Sequence, residues 1–193
     1  MLAADNTTVA LLGKMVDDSS NLTYTPGDYV VAVIDTRNGT AKAFFSINSS
    51  AWIKPDFIGG GGIAYSPKEG EIAITDASFN SKRIVHNNPV NALAVSPDGK
   101  TIVFSEGLFF YTMNIDGSNK EQVRCGKEPL QVTKGEQVTA MCWSPAGKSF
   151  AFGYGPSNSY NIVIIPLDGS DYHFLNDDEG VPIVQKNPLV SWG

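Results

Sequence analysis

The protein has 193 residues, of which 42% are hydrophobic and 18% are charged, a composition that predicts one globular domain with few ionic side chains. Its formal net charge of −6, without a cluster of Lys or Arg, argues against binding to nucleic acid or to an anionic lipid surface. No apolar run approaches the roughly 20 residues of a membrane-spanning helix, so insertion into a membrane is not expected.

The chain begins with MLAADNTTVALLG, which has no basic residues before its apolar stretch and places Asp5 and Asn6 inside that stretch. A secretory signal needs the opposite pattern. We therefore expect no signal peptide in this chain, and a cytoplasmic location is favoured.

The first strand-like segments are TVALLG, YVVAVID and AKAFFSI. A long polar loop, KMVDDSSNLTYTPGD, separates the first segment from the second, and the turn RNGT joins the second to the third. This order predicts an antiparallel group of strands that begins at a second strand, because no first strand precedes it.

A shorter group follows, with the segments GIAYSP, EIAITD and KRIVHN. It contains no second Asn-Gly or Asp-Gly turn, so we expect it to lack its outer strand or to keep only a stub. The segment SSAWIKPDFIGGGG before it is predicted to be a long connection. Its glycine run is interpreted as a flexible entry into the strand, since the Lys-Ser/Thr and the helix of a phosphate-binding loop are absent.

The third and fourth groups are the most regular. NALAV, TIVFS, FFYTMNI and KEQVRC are followed by VTAMCW, SFAFG, YNIVIIPL and DYHFL, and each group contains a Ser-Pro-x-Gly turn and an Asp-Gly-Ser turn. Asp-Gly between strand-like runs is a strong hairpin signal, because glycine adopts positive φ without Cβ strain. We expect positive φ at Gly117 and Gly169. The middle strands are apolar on both faces, which predicts sheets covered on both sides.

These groups are copies of one unit. SPDGKTIVF starts at residue 96 and SPAGKSFAF at residue 144, about 48 residues later, and weaker copies start at residues 3 and 66. At the C-terminus, NPLVSW resembles the first strand that the first group lacks. The pattern predicts a single domain, 1–193, made of units at about 3–62, 63–90, 91–137 and 138–186 with a closing strand at 187–192.

The pattern SPDGK-x-I-x-F followed by (I/L)-DGS resembles the repeat of the TolB-like β-propellers and, more loosely, that of WD40 propellers. The resemblance covers all four units and implies an all-β propeller of about four blades, one of them shortened. The Gly-His and Trp-Asp dipeptides of WD40 repeats are absent, and TolB-like domains carry six or more blades. The sequence is compatible with a ring closed by the C-terminal strand, a part of a larger ring, or half a ring completed by a second copy; the offset termini favour closure.

The sequence contains no recognisable catalytic or metal-ligating constellation. Its two histidines, His86 and His173, are far apart, no nucleophile elbow is present, and Cys125 and Cys142 are predicted to be reduced thiols. The acidic run NDDEG is interpreted as a solvated loop. We therefore expect no catalytic residues, no cofactor and no metal.

Several aromatic residues fall in or beside predicted loops, where they are available to a protein interface. Packing between blades is an equally ordinary role for them. Arg83 and His86 of the shortened unit are added to these aromatic residues, because they are neighbours that could together line a site. The candidate partner-binding surface comprises Trp52, Phe57, Phe79, Arg83, His86, Phe109, Tyr154 and Tyr160.

Three functions are consistent with these features. The resemblance favours a non-enzymatic propeller that serves as a protein–protein interaction scaffold in a larger assembly, with self-association as one way to complete the ring. A propeller that gates a hydrolase on a longer parent chain, as in prolyl-oligopeptidase-like peptidases, is the second. A binder of a small ligand or carbohydrate at the channel mouth is the third.

Removal of residues 187–193 is expected to lower the melting temperature or to change the oligomeric state, because it strips the predicted closing strand and exposes sheet edges. Calorimetry and mass measurement in solution test this expectation. A truncated protein with an unchanged melting temperature and mass would contradict closure.

Overall fold

In a computed structural model of the protein, every regular element of the described residues is a β-strand and every sheet is antiparallel. The structure describes residues 7–14, 29–47, 53–68, 71–155 and 161–175. The chain divides into two compact units, Met1–Pro89 and Val90–Gly193, and each unit holds two blades. The predicted all-β fold class with four blades is confirmed.

Blade 1 is a three-stranded sheet whose strands coincide with the predicted segments. Its order is β1-β2-β3, with β1 (Thr8–Lys14), β2 (Tyr29–Asp35) and β3 (Ala41–Ile47). Asp35 is buried at the end of β2, where its carboxylate accepts hydrogen bonds from Arg37 Nε at 3.0 Å and from an Arg37 terminal nitrogen at 2.6 Å. These bonds, aided by the charge of Lys42, hold the pKa of Asp35 well below its usual range.

Blade 2 has four strands, in the order β4-β5-β6-β7. They are β4 (Asp56–Phe57), β5 (Ile63–Tyr65), β6 (Ile72–Thr75) and β7 (Lys82–His86). Within the described residues no strand lies beyond β7, which agrees with the predicted loss of the outer strand. The fourth strand, β4, comes instead from the segment predicted to be a connection, so the interpretation of SSAWIKPDFIGGGG as a connection alone was wrong.

The glycine run builds the β4–β5 hairpin. Gly60, Gly61 and Gly62 all adopt positive φ, between 89° and 107°, and the Ile58 N–H donates to the Gly62 carbonyl at 3.1 Å. A Cβ at Gly62 would lie 2.3 Å from the Thr75 carbonyl oxygen, whereas a Cβ at Gly60 would meet nothing within 4 Å. The run is therefore a tight turn with close backbone packing at one end.

Blades 3 and 4 belong to the second unit and repeat one four-stranded pattern. Blade 3 has the order β11-β10-β9-β8, with β8 (Val90–Val95), β9 (Thr101–Glu106), β10 (Phe109–Asn114) and β11 (Glu121–Gln122). A short hairpin, β12 (Arg124–Cys125) and β13 (Glu128–Pro129), connects it to the next blade. Blade 4 has the order β14-β15-β16-β17, with β14 (Gln137–Trp143), β15 (Ser149–Gly155), β16 (Asn161–Pro166) and β17 (His173–Leu175).

The Ser-Pro-x-Gly turns have the same hydrogen bonds in blades 3 and 4. The Ser96 N–H donates to the Thr101 carbonyl and the Ser144 N–H to the Ser149 carbonyl, both at 2.8 Å. Each serine Oγ also accepts the opposite N–H, at 2.9 and 3.1 Å respectively. The two copies of the nine-residue sequence therefore make the same turn in space.

One further backbone hydrogen bond of blades 3 and 4 recurs in blade 1. In each of these blades two consecutive strands are involved: β1 and β2, β9 and β10, or β15 and β16. The backbone N–H just after the second strand of the pair donates to the carbonyl just before the first. The three donor–acceptor pairs are Thr36–Thr7, Ile115–Lys100 and Leu167–Lys148, at 2.8, 2.8 and 3.0 Å. Thr8 thus takes the place of Thr101.

The turns before the outer strands also share a side-chain bond. Asn38, Asp116 and Asp168 each accept hydrogen bonds from the backbone N–H and the hydroxyl of the residue two positions later. The predicted positive φ angles are confirmed at 87° for Gly117 and 83° for Gly169. The repeated Asx-Gly-Ser/Thr sequence is therefore a repeated local structure.

The core of the second unit lies between the facing sheets of blades 3 and 4. Residues Ile102 to Ser105 of β9 are four consecutive buried positions, so both faces of this strand are covered, as predicted. On one face Phe110 packs against Phe152, with ring centroids 4.3 Å apart, and Phe150 lies beside them at 6.2 Å from each. A separate core joins blades 1 and 2, where Phe45 and Tyr65 lie 5.0 Å apart.

Two expectations fall on residues that the structure does not describe. The closing strand at 187–192 and the acidic run at 176–180 lie outside the described residues. Across the described ranges, no helical segment has the length and hydrophobicity needed to cross a bilayer.

Gly62→Ala is expected to destabilise the protein by about 2–5 kcal/mol, because the added methyl group meets the Thr75 carbonyl and a positive φ disfavours a side chain. Gly60→Ala is the matched control: its φ of 90° is nearly the same, but the methyl group enters open space, so only about 1–2 kcal/mol should be lost. Urea unfolding measures both. Equal losses would show that the close approach is unimportant.

Candidate partner-binding surface

The outer edge of blade 4 is positioned by the turn Asp168-Gly169-Ser170. Asp168 Oδ1 accepts hydrogen bonds from the Ser170 backbone N–H at 2.9 Å and from its Oγ–H at 2.7 Å. The hydroxyl and then the amide lower the pKa of Asp168, because both stabilise the ionised carboxylate. The turn reverses the chain so that residues 173–175 run back along β16 as β17.

The β12–β13 hairpin is bonded to the same turn. The Gly126 N–H donates to the Gly169 carbonyl at 3.1 Å, and the Cys125 S–H lies 3.6 Å from the Ser170 carbonyl oxygen. These two contacts hold the connection between blades 3 and 4 against the start of the outer strand. Cys125 and Cys142 form no disulfide and are partly buried, in agreement with the predicted thiols.

Large apolar side chains are exposed along this edge. Leu167, Tyr172, Phe174 and Leu175 have exposed fractions of 38%, 46%, 41% and 41%, and we call these four residues the outer-strand surface. The rings of Tyr172 and Phe174 meet edge to face, with centroids 5.3 Å apart and an interplanar angle of 89°. This geometry is favourable for an aromatic pair and gives the surface a defined shape.

The corresponding strand of blade 3 is polar. Val163 of blade 4 pairs with Phe174, just as Tyr111 of blade 3 pairs with Gln122. By this register the residues Tyr172, His173 and Phe174 take the places of Lys120, Glu121 and Gln122. The same backbone positions thus carry charged or amide groups in blade 3 and three aromatic rings, those of Tyr172, His173 and Phe174, in blade 4.

A small cavity, which we call the tyrosine pocket, adjoins the outer-strand surface. Its volume is about 220 Å³. One wall comes from the connection between blades 3 and 4, and the other from the sheet of blade 4. Its lining residues are Leu130, Gln131, Val132, Thr133, Glu136, Phe152, Tyr154, Val163 and Tyr172.

The pocket contains the phenols of Tyr154 and Tyr172 and the carboxylate of Glu136, beside the polar side chains of Gln131 and Thr133. Glu136 Oε2 accepts a hydrogen bond from the Thr133 N–H at 2.8 Å, which fixes the carboxylate at the pocket wall. Burial, the negative charge of Glu136 and the neighbouring Tyr172 together raise the pKa of Tyr154. Tyr154 therefore stays a neutral phenol, and its ring lies 5.7 Å from that of Phe152.

Two larger cavities are grooves beside turns. One, of about 660 Å³, lies between the Ser-Pro-x-Gly turns of blades 3 and 4, and another, of about 670 Å³, lies between blades 1 and 2. In the first, Asp98 accepts hydrogen bonds from the Ser96 Oγ–H at 2.6 Å and the Lys100 N–H at 3.1 Å. In the second, Lys68 pairs with Glu71 at 2.8 Å. Asp98, Lys68 and Glu71 are therefore bonded to residues of their own turns.

The predicted surface residues are divided between the two units. Phe57 on β4 and Phe79 in the β6–β7 turn are partly buried and pack against the same core, that of the first unit. Arg83 on β7 is exposed, and His86 at the end of β7 is buried. Trp52 and Tyr160 lie outside the described residues.

Two predicted residues lie in the second unit. Phe109 begins β10, where it pairs with Glu106 and bridges to Gln131. Tyr154 lines the tyrosine pocket. The structure thus brings Phe57 and Phe79 to one core and Tyr154 to a cavity.

Sequence reasoning missed Tyr172, Phe174 and Glu136. A signal for the first two was present: DYHFL is an outer strand by its place in the repeat, yet it is far more apolar than the matching KEQVRC. An outer strand has one edge without a neighbour, so apolar residues there are unexpected unless they meet something. Glu136 carries no local signal, since it stands in an ordinary polar loop.

No group of three or more potential metal-ligating side chains was found among the described residues. His173 lies exposed on β17, as expected for a residue of an outer strand.

No protein-family model matches the sequence, and no curated protein sequence matches it either. Among solved structures, TolB from Acinetobacter baumannii is similar, with a TM-score of 0.63 and 17% identity over 94% of this chain and 42% of that one. A putative TolB from Agrobacterium tumefaciens has a TM-score of 0.64 and 14% identity, covering 90% and 62%. A chain of a nidogen/laminin complex has a TM-score of 0.59 and 12% identity, covering 91% and 64%.

These likenesses show the fold: the neighbours are TolB-like and other β-propeller proteins, and this chain has a β-propeller fold. The chain spans between 42% and 64% of the length of these three structures. The comparison therefore concerns the arrangement of the strands into blades, which this chain shares with part of each of these structures.

Acidification is expected to weaken the turn that holds the outer strand. Because the pKa of Asp168 is lower in the folded chain than its ordinary 3.8, its carboxylate stabilises the fold above that pH, and the stabilisation is lost as the pH falls further. Asp168→Asn keeps the acceptor oxygen but does not titrate. Urea midpoints between neutral pH and about pH 2 should fall less steeply for Asp168→Asn than for the wild type.

Asp171→Asn is the control for that comparison, because Asp171 is exposed and its carboxylate accepts no hydrogen bond from the described part of the chain. The wild type and Asp171→Asn should have the same pH profile. If Asp168→Asn also followed that profile, the turn carboxylate would have no role in acid stability.

Proposed function

We propose that this chain is a non-enzymatic β-propeller that serves as a protein–protein interaction scaffold within a larger assembly. The observation that carries the proposal is the outer-strand surface of blade 4, where four large apolar side chains remain exposed on a sheet edge. The partner is a different protein, and it covers this edge and the adjoining tyrosine pocket.

The composition of the surface supports a protein partner. Aromatic side chains bury a large area while losing few rotamers, and they dominate the energetics of interfaces. Tyr172 and Phe174 already pack edge to face, so their side chains have little conformational freedom left to lose on binding. A short edge strand also offers backbone N–H and C=O groups to an incoming segment.

The charge of the chain indicates the chemistry of the partner. The formal net charge of −6 favours a partner with a basic surface, since complementary charge accelerates association and disfavours wrong partners. A solved neighbour of this fold lies in a nidogen/laminin complex, an assembly of two proteins. By analogy, a propeller of this kind is suited to the same general task.

The titratable groups support a binding role rather than a chemical one. The four aspartates with lowered pKa values, Asp35, Asp76, Asp98 and Asp168, are each bonded within their own turn or strand end. In Asp76, hydrogen bonds from the hydroxyls of Ser81 and Ser78 lower the pKa to about 2. Carboxylates held in this way stay ionised and stabilise local structure.

The other predicted contact residues remain part of the proposal. Tyr154 belongs to the pocket, and Phe109 of blade 3 forms a β-bridge with Gln131, another lining residue of the pocket. Arg83 is a further candidate contact on the first unit. We also retain the SPDGK…DGS sequence as a TolB-like signature of the fold.

Site-specific crosslinking tests the proposed surface. Photoreactive p-benzoylphenylalanine is placed at position 174 or, as the matched control, at position 11, because Leu11 is an equally exposed apolar residue on β1 of the other unit. Irradiation in cells of the source organism should yield one defined adduct with another protein from position 174 and none of that mass from position 11. Mass spectrometry then identifies the partner, which is produced in purified form.

Binding of the purified partner is compared for the wild type, the double variant Tyr172→Ala/Phe174→Ala and the control Leu11→Ala. We expect the double variant to lose at least about tenfold in affinity, as aromatic anchors of an interface do, and the control to lose nothing. The proposal is overturned if position 174 yields no adduct, or if the only adduct is a second copy of this chain. Equal binding by the double variant would likewise exclude this surface.

A further inference from the structure

Blade 3 contains an ammonium site made from its own residues. The Lys120 Nζ atom lies 4.2 Å from the ring centroid of Tyr111 and 5.5 Å from that of Phe104. The same Nζ atom pairs with the Glu106 carboxylate. Aromatic faces and a carboxylate thus surround one lysine head group, which is a favourable setting for a cation.

The register of the strands identifies the same four positions in blade 4. Phe104 pairs with Tyr111 in blade 3, and Phe152 pairs with Val163 in blade 4. These pairs and the pairing of the outer strands align the two blades residue by residue. At the four positions of the ammonium site, blade 4 has three aromatic residues and one aliphatic residue. The residues that replace Phe104, Glu106, Tyr111 and Lys120 are Phe152, Tyr154, Val163 and Tyr172.

All four of these blade 4 residues line the tyrosine pocket. The internal cation of blade 3 has been replaced by Tyr172, and the internal carboxylate by Tyr154. The pocket still has a negative charge, which comes from another part of the chain: Glu136, in the connection before β14, is one of its lining residues. Over the described ranges, neither lysine nor arginine forms an ion pair with Glu136.

We infer that the tyrosine pocket binds the ammonium group of a lysine side chain that the partner protein inserts into it. The inference rests on the proposed function and names the chemistry that the partner presents. Like the blade 3 site, the pocket has aromatic walls and a carboxylate, although Val163 replaces one ring and the carboxylate, Glu136, comes from a different element. No lysine or arginine is among its described lining residues.

The size and charge of the pocket agree with a single side chain as occupant. Its volume of about 220 Å³ is below the roughly 300–1,000 Å³ of sites for drug-sized ligands. Glu136 and Tyr154 line the same pocket, and burial followed by the negative charge of Glu136 raises the pKa of Tyr154. An ammonium group between them would be attracted by that charge and by the aromatic rings.

Titration with a small probe tests this inference without the partner. The probe is Nα-acetyl-lysine methylamide, and the control probe is Nα-acetyl-norleucine methylamide, which has the same chain without the ammonium group. Amide resonances of Glu136, Tyr154 and Tyr172 should shift in a saturable way with the first probe and not with the second. An equal response to both probes, or no response to the lysine probe, would overturn the inference.

Variants at two separate elements identify the binding groups. Glu136→Gln and Tyr172→Ala are each expected to weaken binding of the lysine probe about two- to fivefold, the size of one exposed cation–aromatic or ionic contact. Glu128→Gln, an exposed glutamate of β13 outside the pocket, is the charge-matched control and should bind as the wild type does. Wild-type affinity in both pocket variants would contradict the assignment.

Tyr172→Lys is the most direct variant, because it restores in blade 4 the lysine of blade 3. The new side chain should occupy the pocket itself, so binding of the lysine probe should be lost while the melting temperature is kept or raised. If Tyr172→Lys bound the probe as the wild type does, the two blades would not share this site. Should Tyr172→Ala disturb β17, Glu136→Gln still decides the question, since Glu136 lies outside that strand.

The two proposals have distinguishable failures. Partner binding that survives in Glu136→Gln, together with no probe binding, would overturn the lysine inference and leave the interaction surface in place. Probe binding together with no crosslinked partner would overturn the scaffold function and leave the pocket in place. Tetramethylammonium forms a third arm: saturable binding of this ion without binding of the lysine probe would contradict a lysine side chain as the occupant.

Discussion

Packing of aromatic side chains between the facing sheets of blades 3 and 4 is the interaction on which the second unit depends. Phe110 of blade 3 meets Phe152 of blade 4 at 4.3 Å, and the Trp143 indole N–H of β14 donates to the Ala94 carbonyl of β8 at 3.1 Å. Strands such as β9, with four consecutive buried residues, leave no face for water. A single blade therefore has too much apolar surface to be stable alone, and adjacent blades stabilise each other.

The need to pack against a neighbouring blade is strongest for the first strands of a blade and weakest for its outer strand. The Ser-Pro-x-Gly turn leads into β9 or β15, strands that are buried on both faces, and the nine-residue sequence of turn and strand is the part that blades 3 and 4 share most closely. The outer strand touches little, so it is free to change from Lys-Glu-Gln in blade 3 to Tyr-His-Phe in blade 4. A binding surface can therefore arise most easily at this edge, because substitutions of its side chains reduce the stability of the fold least.

The polar residues of the repeat serve geometry. Asp116 and Asp168 each accept hydrogen bonds from a backbone N–H and a hydroxyl in their own turn, and Ser96 and Ser144 each accept one from a backbone N–H across theirs. Their bonds fix where each outer strand begins. Glu136 instead lines a cavity together with two phenols, which is why that cavity differs from the turn grooves.

The local elements of this protein were determined by its sequence: the strand positions, the positive φ at Gly117 and Gly169, and the repeat itself, because period-two apolar patterns and Asx-Gly turns act through near neighbours. Tyr154 was also among the predicted contact residues. The strand β4 was not predicted, because two residues before a glycine run carry no pattern and pair only once β5 lies beside them. Tyr172 and Glu136 were likewise brought together only by tertiary structure, since the hairpin between blades must lie against the outer strand before a carboxylate and two phenols share one cavity.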